Sequence, residues 1–113
     1  MKGIYFVNEK ISLSGLSEKD SIHLQKSSLT AFIQSRQIQV IKLNPYQIND
    51  YYTILHALLY DLKKQKSRLD CLIVYSQQVI EDYILSYPAR WLILKSFFHE
   101  VIMLDKHAGQ LQI

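Results

Sequence analysis

The side chains that could carry chemistry are few and dispersed along this sequence. His23, His56, His99 and His107 belong to different stretches, and neither an HExxH motif nor a close His/Cys pair occurs. The spacing that holds zinc is therefore missing. Cys71 is the single cysteine and cannot close an intramolecular disulfide. We expect no metal site and no disulfide framework.

Motifs for phosphate binding or hydrolysis are missing as well. Gly3, Gly15 and Gly109 are isolated, so the sequence contains neither GxGxxG nor GxxxxGK followed by Ser or Thr. No G-x-S-x-G elbow supports a Ser-His-Asp assembly built from Ser12 and Asp70. We expect no small-molecule cofactor.

Two aspartates flank predicted strands. Asp105 follows the fourth strand and Asp70 precedes the third. Ligands of an open parallel sheet bind outside the carboxyl ends of the strands, so Asp70 is expected to cap or turn the chain. A phospho-acceptor aspartate of the receiver kind would end the third strand, where this chain has Tyr75-Ser76-Gln77. A receiver-like, flavodoxin-fold binding domain is one alternative function.

Length and composition favour one folded domain. The chain has 113 residues, of which 49% are hydrophobic and 20% charged, and its net charge is +3. No apolar run approaches the roughly 18 residues needed to span a bilayer, and the first residues lack the apolar region of a signal peptide. We expect a cytoplasmic protein without a membrane partner.

Hydrophobic patterning predicts four strands, at residues 3–7, 38–43, 71–75 and 101–104. The run from Cys71 to Tyr75 is continuously apolar, as in a strand that is covered on both faces, so this strand is expected to be central.

Helical spacing predicts the elements between these strands. Ser17 and Asp20 form a capping-box-like start for a helix that extends to Gln37. A second helix is expected to be capped by Asn49 or Asp50 and to end in the cationic stretch 63–66. A third covers 77–87, with a break near Tyr87 because proline is not tolerated inside a helix.

The order of elements predicts an α/β fold. We expect a three-layer domain with a mainly parallel four-stranded sheet and helices on both faces, flavodoxin-like in arrangement. This domain is expected to cover residues 1–105, followed by a C-terminal tail at 106–113.

Six segments are similar in order and spacing to one known family, over roughly residues 3–105. They are Ile4-Tyr5, Gln25-Lys26 to Phe32, Arg36 to Val40, Leu55 to Leu62, Leu69 to Tyr75, and Val101 to Leu104. Together they resemble the N-terminal catalytic domain of the serine recombinases, the resolvase and invertase family. The chain ends before the long helix and the C-terminal DNA-binding domain that full-length members carry.

The resemblance implies a serine nucleophile after the first strand, with arginines that neutralise the phosphoryl transition state. Val7 and Glu9 stand where the family has that arginine and serine, although a three-residue insertion would let Lys10-Ile11-Ser12 take their place. After the third strand, where the family has arginines, this chain has Glu81 and Asp82.

These departures favour a noncatalytic domain that acts as a protein-interaction or regulatory module, with a link to DNA recombination or a mobile element. The alternative enzyme is a recombinase fragment that breaks and rejoins DNA with Ser12 as its nucleophile. DNA binding is expected to be weak. Its candidate residues are Lys10, Arg36, Lys63, Lys64 and Arg68.

A protein partner or self-association is expected through residues 88–98. This stretch is apolar around more of a helix than the roughly 100° stripe that a one-sided surface helix needs. The candidate interface residues are Trp91, Leu94, Phe97 and Phe98.

Overall fold

A four-stranded, all-parallel sheet forms the centre of the computed structural model, which describes residues 1–106. Its strands are β1 (Lys2–Tyr5), β2 (Gln39–Val40), β3 (Leu69–Val74) and β4 (Phe98–Met103). They lie in the order β2-β1-β3-β4. The order reverses between β1 and β3, which makes this pair the topological switch point of the sheet.

Within residues 1–103, four helices cover the two faces of this sheet. They are α1 (Glu18–Ser35), α2 (Leu55–Gln65), α3 (Glu81–Ser86) and α4 (Pro88–Ser96), and two short 3₁₀ turns lie at Leu13–Gly15 and Gln77–Val79. Because successive strand residues point to opposite faces, Tyr5 and Ile73 pack with α1, whereas Ile4 and Leu72 pack with α2, α3 and α4. The predicted three-layer α/β fold is confirmed.

The central position of β3 is confirmed as well. Cys71, Leu72, Ile73 and Val74 are completely buried. Beside them, Gly3 of β1 faces Cys71 in register. A β-carbon on Gly3 would lie 2.7 Å from Cys71 Sγ, so the close approach of these two strands requires glycine at this position.

Local signals placed two element boundaries correctly. Ser17 Oγ accepts a hydrogen bond of 3.1 Å from the Asp20 backbone N–H, so Ser17 caps α1 as predicted. The helical stretch breaks at Tyr87, since α3 ends at Ser86 and Pro88 occupies the first turn of α4.

The second strand and the second helix have other boundaries than predicted, because residues far apart in sequence pair here. The second strand was expected at 38–43 but covers only Gln39–Val40. Beyond β2, Tyr52 pairs with the end of β1 in place of a longer second strand. Its N–H donates to Tyr5 O (3.1 Å) and its carbonyl accepts from Val7 N–H (2.9 Å). An extended Tyr52 excludes a helix that is capped by Asn49 or Asp50, so α2 begins at Leu55.

The fourth strand starts earlier than predicted. It begins at Phe98 rather than 101, since Phe98 pairs with Leu69 at the start of β3. Residues 107–113, most of the predicted tail, lie outside the described residues. Within the described part of the chain, every helix is too short or too polar to cross a membrane.

Candidate functional site

A small crevice opens at the switch point, beyond the carboxyl ends of β1 and β3. Its volume is about 230 Å³. Open α/β sheets bind ligands at this location. A larger groove of about 600 Å³ lies away from it, between α4 and β4. The walls of the switch-point crevice include Phe6, Asn8, Val79, Asp82, Tyr83 and Tyr87.

Asn8 lines this crevice and makes four structural hydrogen bonds within residues 1–106. Its Nδ2 donates to Val79 O (2.9 Å), and its Oδ1 accepts from Lys10 N–H (2.9 Å). Its backbone N–H donates to Gln25 Oε1, and its carbonyl accepts from Gln25 Nε2, both at 2.9 Å. Asn8 therefore shapes the turn after β1.

Tyr83 and Tyr87 line one side of the crevice, and the ring of His56 packs against both of them. His56 contacts Tyr83 and Tyr87 edge to face, with ring centroids 5.0 and 4.6 Å apart, and the two tyrosine rings are 5.7 Å apart. The Tyr83 hydroxyl is buried without a hydrogen-bond partner among the described residues. Burial raises the pKa of Tyr83, and Arg90 opposes that shift. The phenol is neutral at pH 7, so it offers a hydrogen bond rather than a charge.

The rim of the crevice is acidic. Glu81 and Asp82 occupy the first turn of α3, and Glu9 follows Asn8. Carboxylates at this position repel a phosphate. Within residues 1–106, no group of three or more His, Cys, Asp or Glu side chains is placed to hold a metal ion.

Ser12, the predicted nucleophile, lies on the loop between β1 and α1. It is exposed and precedes the 3₁₀ turn without forming a side-chain cap. Lys10, two residues earlier, is also exposed. Both residues are at the carboxyl edge of the sheet, where the resemblance requires them.

The other predicted DNA-binding residues lie at the opposite edge. Arg36 caps the C-terminus of α1, Lys63 and Lys64 occupy the last turn of α2, and Arg68 immediately precedes β3. A helix that joins two parallel strands returns the chain to the amino edge of the sheet. The predicted set is therefore not a single patch, because the length of the strands separates Lys10 from the other four residues.

The predicted interface residues are largely core residues, which corrects that choice. Leu94 is completely buried, Trp91 and Phe98 are each only 7% exposed, and Phe97 is half-buried. They pack against the sheet face shared with α2. The outward positions of α4 are Leu92 and Ile93. Self-association through this helix stays a prediction, and these two residues are the ones that could carry it.

Cys71 is not a candidate nucleophile. Burial, with the nearby carboxylates of Glu100 and Asp70, raises the pKa of its thiol to about 11. The thiolate that would act as a nucleophile is therefore scarce at neutral pH.

The structural roles of Gln25 and Tyr52 were not predicted from the sequence, although Gln25 begins one of the six segments that carry the resemblance. Gln25 is completely buried, and it follows Ser21 and precedes Leu29 and Ile33 at steps of four residues. That spacing was the available signal, since it places an amide on the inward stripe of α1. Tyr52 donates from its hydroxyl to Asp61 Oδ2 (2.6 Å), and no local pattern indicates that pair.

Comparison with protein-family models, with curated proteins and with solved structures finds no match for this chain.

Proposed function

We propose that this chain is a noncatalytic α/β module, related in organisation to the serine-recombinase catalytic domain, that acts by binding a macromolecular partner in a regulatory role linked to DNA recombination. One observation carries this proposal. Ser12, the hydroxyl that the resemblance offers as a nucleophile, lies across the sheet from Arg36 and Arg68.

Phosphoryl transfer needs cations at the reacting phosphate, because charge develops on its oxygens in the transition state. The sequence contains three arginines. Arg90 is the one near the crevice, where it acts on Tyr83 and shares the region with Glu81 and Asp82. A single arginine beside two carboxylates does not supply the positive cluster that strand cleavage requires.

Lysine does not replace the missing arginines. Lys10 precedes Ser12 by two residues, but its ammonium is a point charge and cannot make the paired hydrogen bonds of a guanidinium. The recombinase alternative would therefore have to work with Ser12 and one flexible cation.

A trapping experiment separates the two functions. The purified chain is incubated with a radiolabelled random-sequence duplex library, denatured, and analysed for covalent protein–DNA adducts. We expect no adduct above a protein-free control. An adduct that disappears in Ser12→Ala and persists in Ser35→Ala, an exposed serine at the amino edge, would overturn the noncatalytic assignment.

A further inference from the structure

The cationic side chains are concentrated at the amino edge of the sheet. Seven of the thirteen lie where strands begin and helices end, together with only two carboxylates, Asp70 and Glu100. The seven are Lys2, Arg36, Lys63, Lys64, Lys66, Arg68 and Lys95. We call them the basic edge. Although the whole chain carries only +3, this one side holds an excess of five positive charges.

All seven side chains belong to exposed residues. The salt bridge within residues 1–106 joins Lys42 to Asp50, outside the basic edge. Arg36 and Lys95 lie over the rings of Phe32 and Trp91, at 5.2 and 5.7 Å from the ring centroids. Such contacts hold a cation in place without neutralising it.

Helix capping accounts for part of this pattern only. Lys63, Lys64 and Lys95 lie in last helical turns, where a cation offsets the helix dipole. Lys2 begins a strand and Arg68 lies in the connection to β3, so the dipole explains neither of them. Lys2 and Arg68 therefore add positive charge at the strand starts to the positive charge at the helix ends.

The composition of this surface favours a nucleic-acid backbone over a lipid surface. Peripheral membrane binding adds buried apolar side chains to the electrostatic attraction. Two exposed apolar residues, Met1 and Ile93, lie next to Lys2 and Lys95 of this edge but belong to different parts of the chain, whereas Leu85, Leu92 and Ile54 lie elsewhere. Instead, exposed amides such as Gln37 and Gln39 accompany the cations, and Lys, Arg and Gln are the side chains that contact phosphates.

We infer that the basic edge binds the phosphate backbone of nucleic acid, without covalent chemistry and without sequence preference. A duplex presents about one negative charge per 1.7 Å of its axis, so dispersed cations can each meet a phosphate. This inference does not depend on the resemblance to recombinases, and a noncatalytic role would survive its failure.

Fluorescence anisotropy with a labelled mixed-sequence duplex tests the inference. At about 50 mM salt we expect micromolar binding that weakens steeply towards about 200 mM. The double variant Lys63→Glu/Arg68→Glu should weaken binding by about tenfold or more and reduce the salt slope by about 2.

Because Lys10 is itself a candidate DNA-binding residue, the matched control is Lys19→Glu/Lys106→Glu. It makes the same change in net charge at exposed carboxyl-edge positions, and it should change the affinity by less than about twofold. Circular dichroism verifies that each variant is folded. Equal weakening by both double variants, or no binding by the wild type, would overturn the inference.

Vesicles of phosphatidylserine and phosphatidylcholine and a poly-glutamate peptide provide the competing partners. The inference predicts that neither competes with the duplex at matched charge concentration. Tighter binding to the vesicles or to the peptide would reject the nucleic-acid assignment in favour of that partner.

Discussion

Gln25 and Asn8 are joined by two hydrogen bonds that run in opposite directions. Gln25 Oε1 accepts from the Asn8 backbone N–H, and Gln25 Nε2 donates to the Asn8 carbonyl, each at 2.9 Å. The Gln25 side chain thus pairs with both the N–H and the carbonyl of Asn8, the residue at which the chain turns away from the sheet after β1. The same Gln25 amide also donates to Ser21 Oγ (3.3 Å), so α1 holds in place a residue that lines the crevice.

Gln25→Ala is expected to lower the free energy of unfolding by about 2–3 kcal/mol, because two partly buried backbone groups lose their partners. Urea denaturation provides the measurement. Gln34→Ala, an exposed glutamine in the same helix, should change stability by less than about 0.5 kcal/mol. Similar losses in both variants would show that the hydrogen bonds to Asn8 contribute little.

The contact between Gly3 and Cys71 gives a second prediction. A β-carbon on Gly3 would lie 2.7 Å from Cys71 Sγ and 3.1 Å from Cys71 O, so Gly3→Ala should cost about 1–3 kcal/mol by overpacking. Adding Cys71→Ala removes the sulfur atom that the new β-carbon would meet. The double variant should therefore lose less stability than the sum of the two single losses, by at least about 0.5 kcal/mol in a double-mutant cycle. Additive losses would show that the sulfur is not the limiting contact.

Local and long-range features of this chain were not equally predictable. The apolar run at Cys71, the cap at Ser17 and the break before Pro88 are signals contained in a few neighbouring residues, and each gave the correct element. Tyr52 replaces β2 beside the end of β1, and that pairing joins residues far apart in sequence. For this reason the start of α2 was placed four or five residues too early.

The candidate site was less predictable than the fold. The resemblance placed Lys10 and Arg36 in one DNA-binding set, although the topology already separates them. A helix between two parallel strands must end at the amino edge, so Arg36, Lys63 and Arg68 had to lie opposite the loop that carries Lys10. Composition alone also could not orient α4, since apolar residues occupy both its inner and its outer positions.

The orientation of α4 can be tested with two leucines in one helix. Leu94 is completely buried, whereas Leu92 is 62% exposed. Leu94→Ala should lower the free energy of unfolding by about 2–5 kcal/mol, as for other buried leucines. Leu92→Ala should change it by less than about 0.5 kcal/mol. A large loss at Leu92 that varies with protein concentration would instead show that this residue is covered by a second copy.

Alkaline pH is expected to destabilise the fold through groups whose pKa is raised by folding. Burial raises the pKa of Cys71 from 9.0 to about 11, and it raises the pKa values of Tyr5, Tyr52 and Tyr83 above 10.0. For Tyr52 the Asp61 carboxylate adds to this shift, because it accepts the phenol hydrogen bond.

The sign of the effect follows from proton binding. Below about pH 9 these groups are protonated in both the folded and the unfolded chain, so they add no pH dependence. Above that pH the unfolded chain loses these protons first, and the free energy of unfolding falls as pH rises towards the folded-state pKa values. Urea midpoints at about pH 8, 9.5 and 11 should therefore decrease in that order.

Tyr52→Phe identifies one source of this decrease. The variant should be less stable than the wild type near neutral pH, because Asp61 loses its hydrogen-bond donor, and its stability should decline less steeply above about pH 10 because one titrating group is gone. Tyr46→Phe is the control, since that side chain is 90% exposed. A wild-type midpoint that does not change up to about pH 11, or equal slopes for Tyr52→Phe and the wild type, would contradict a buried, neutral phenol at this position.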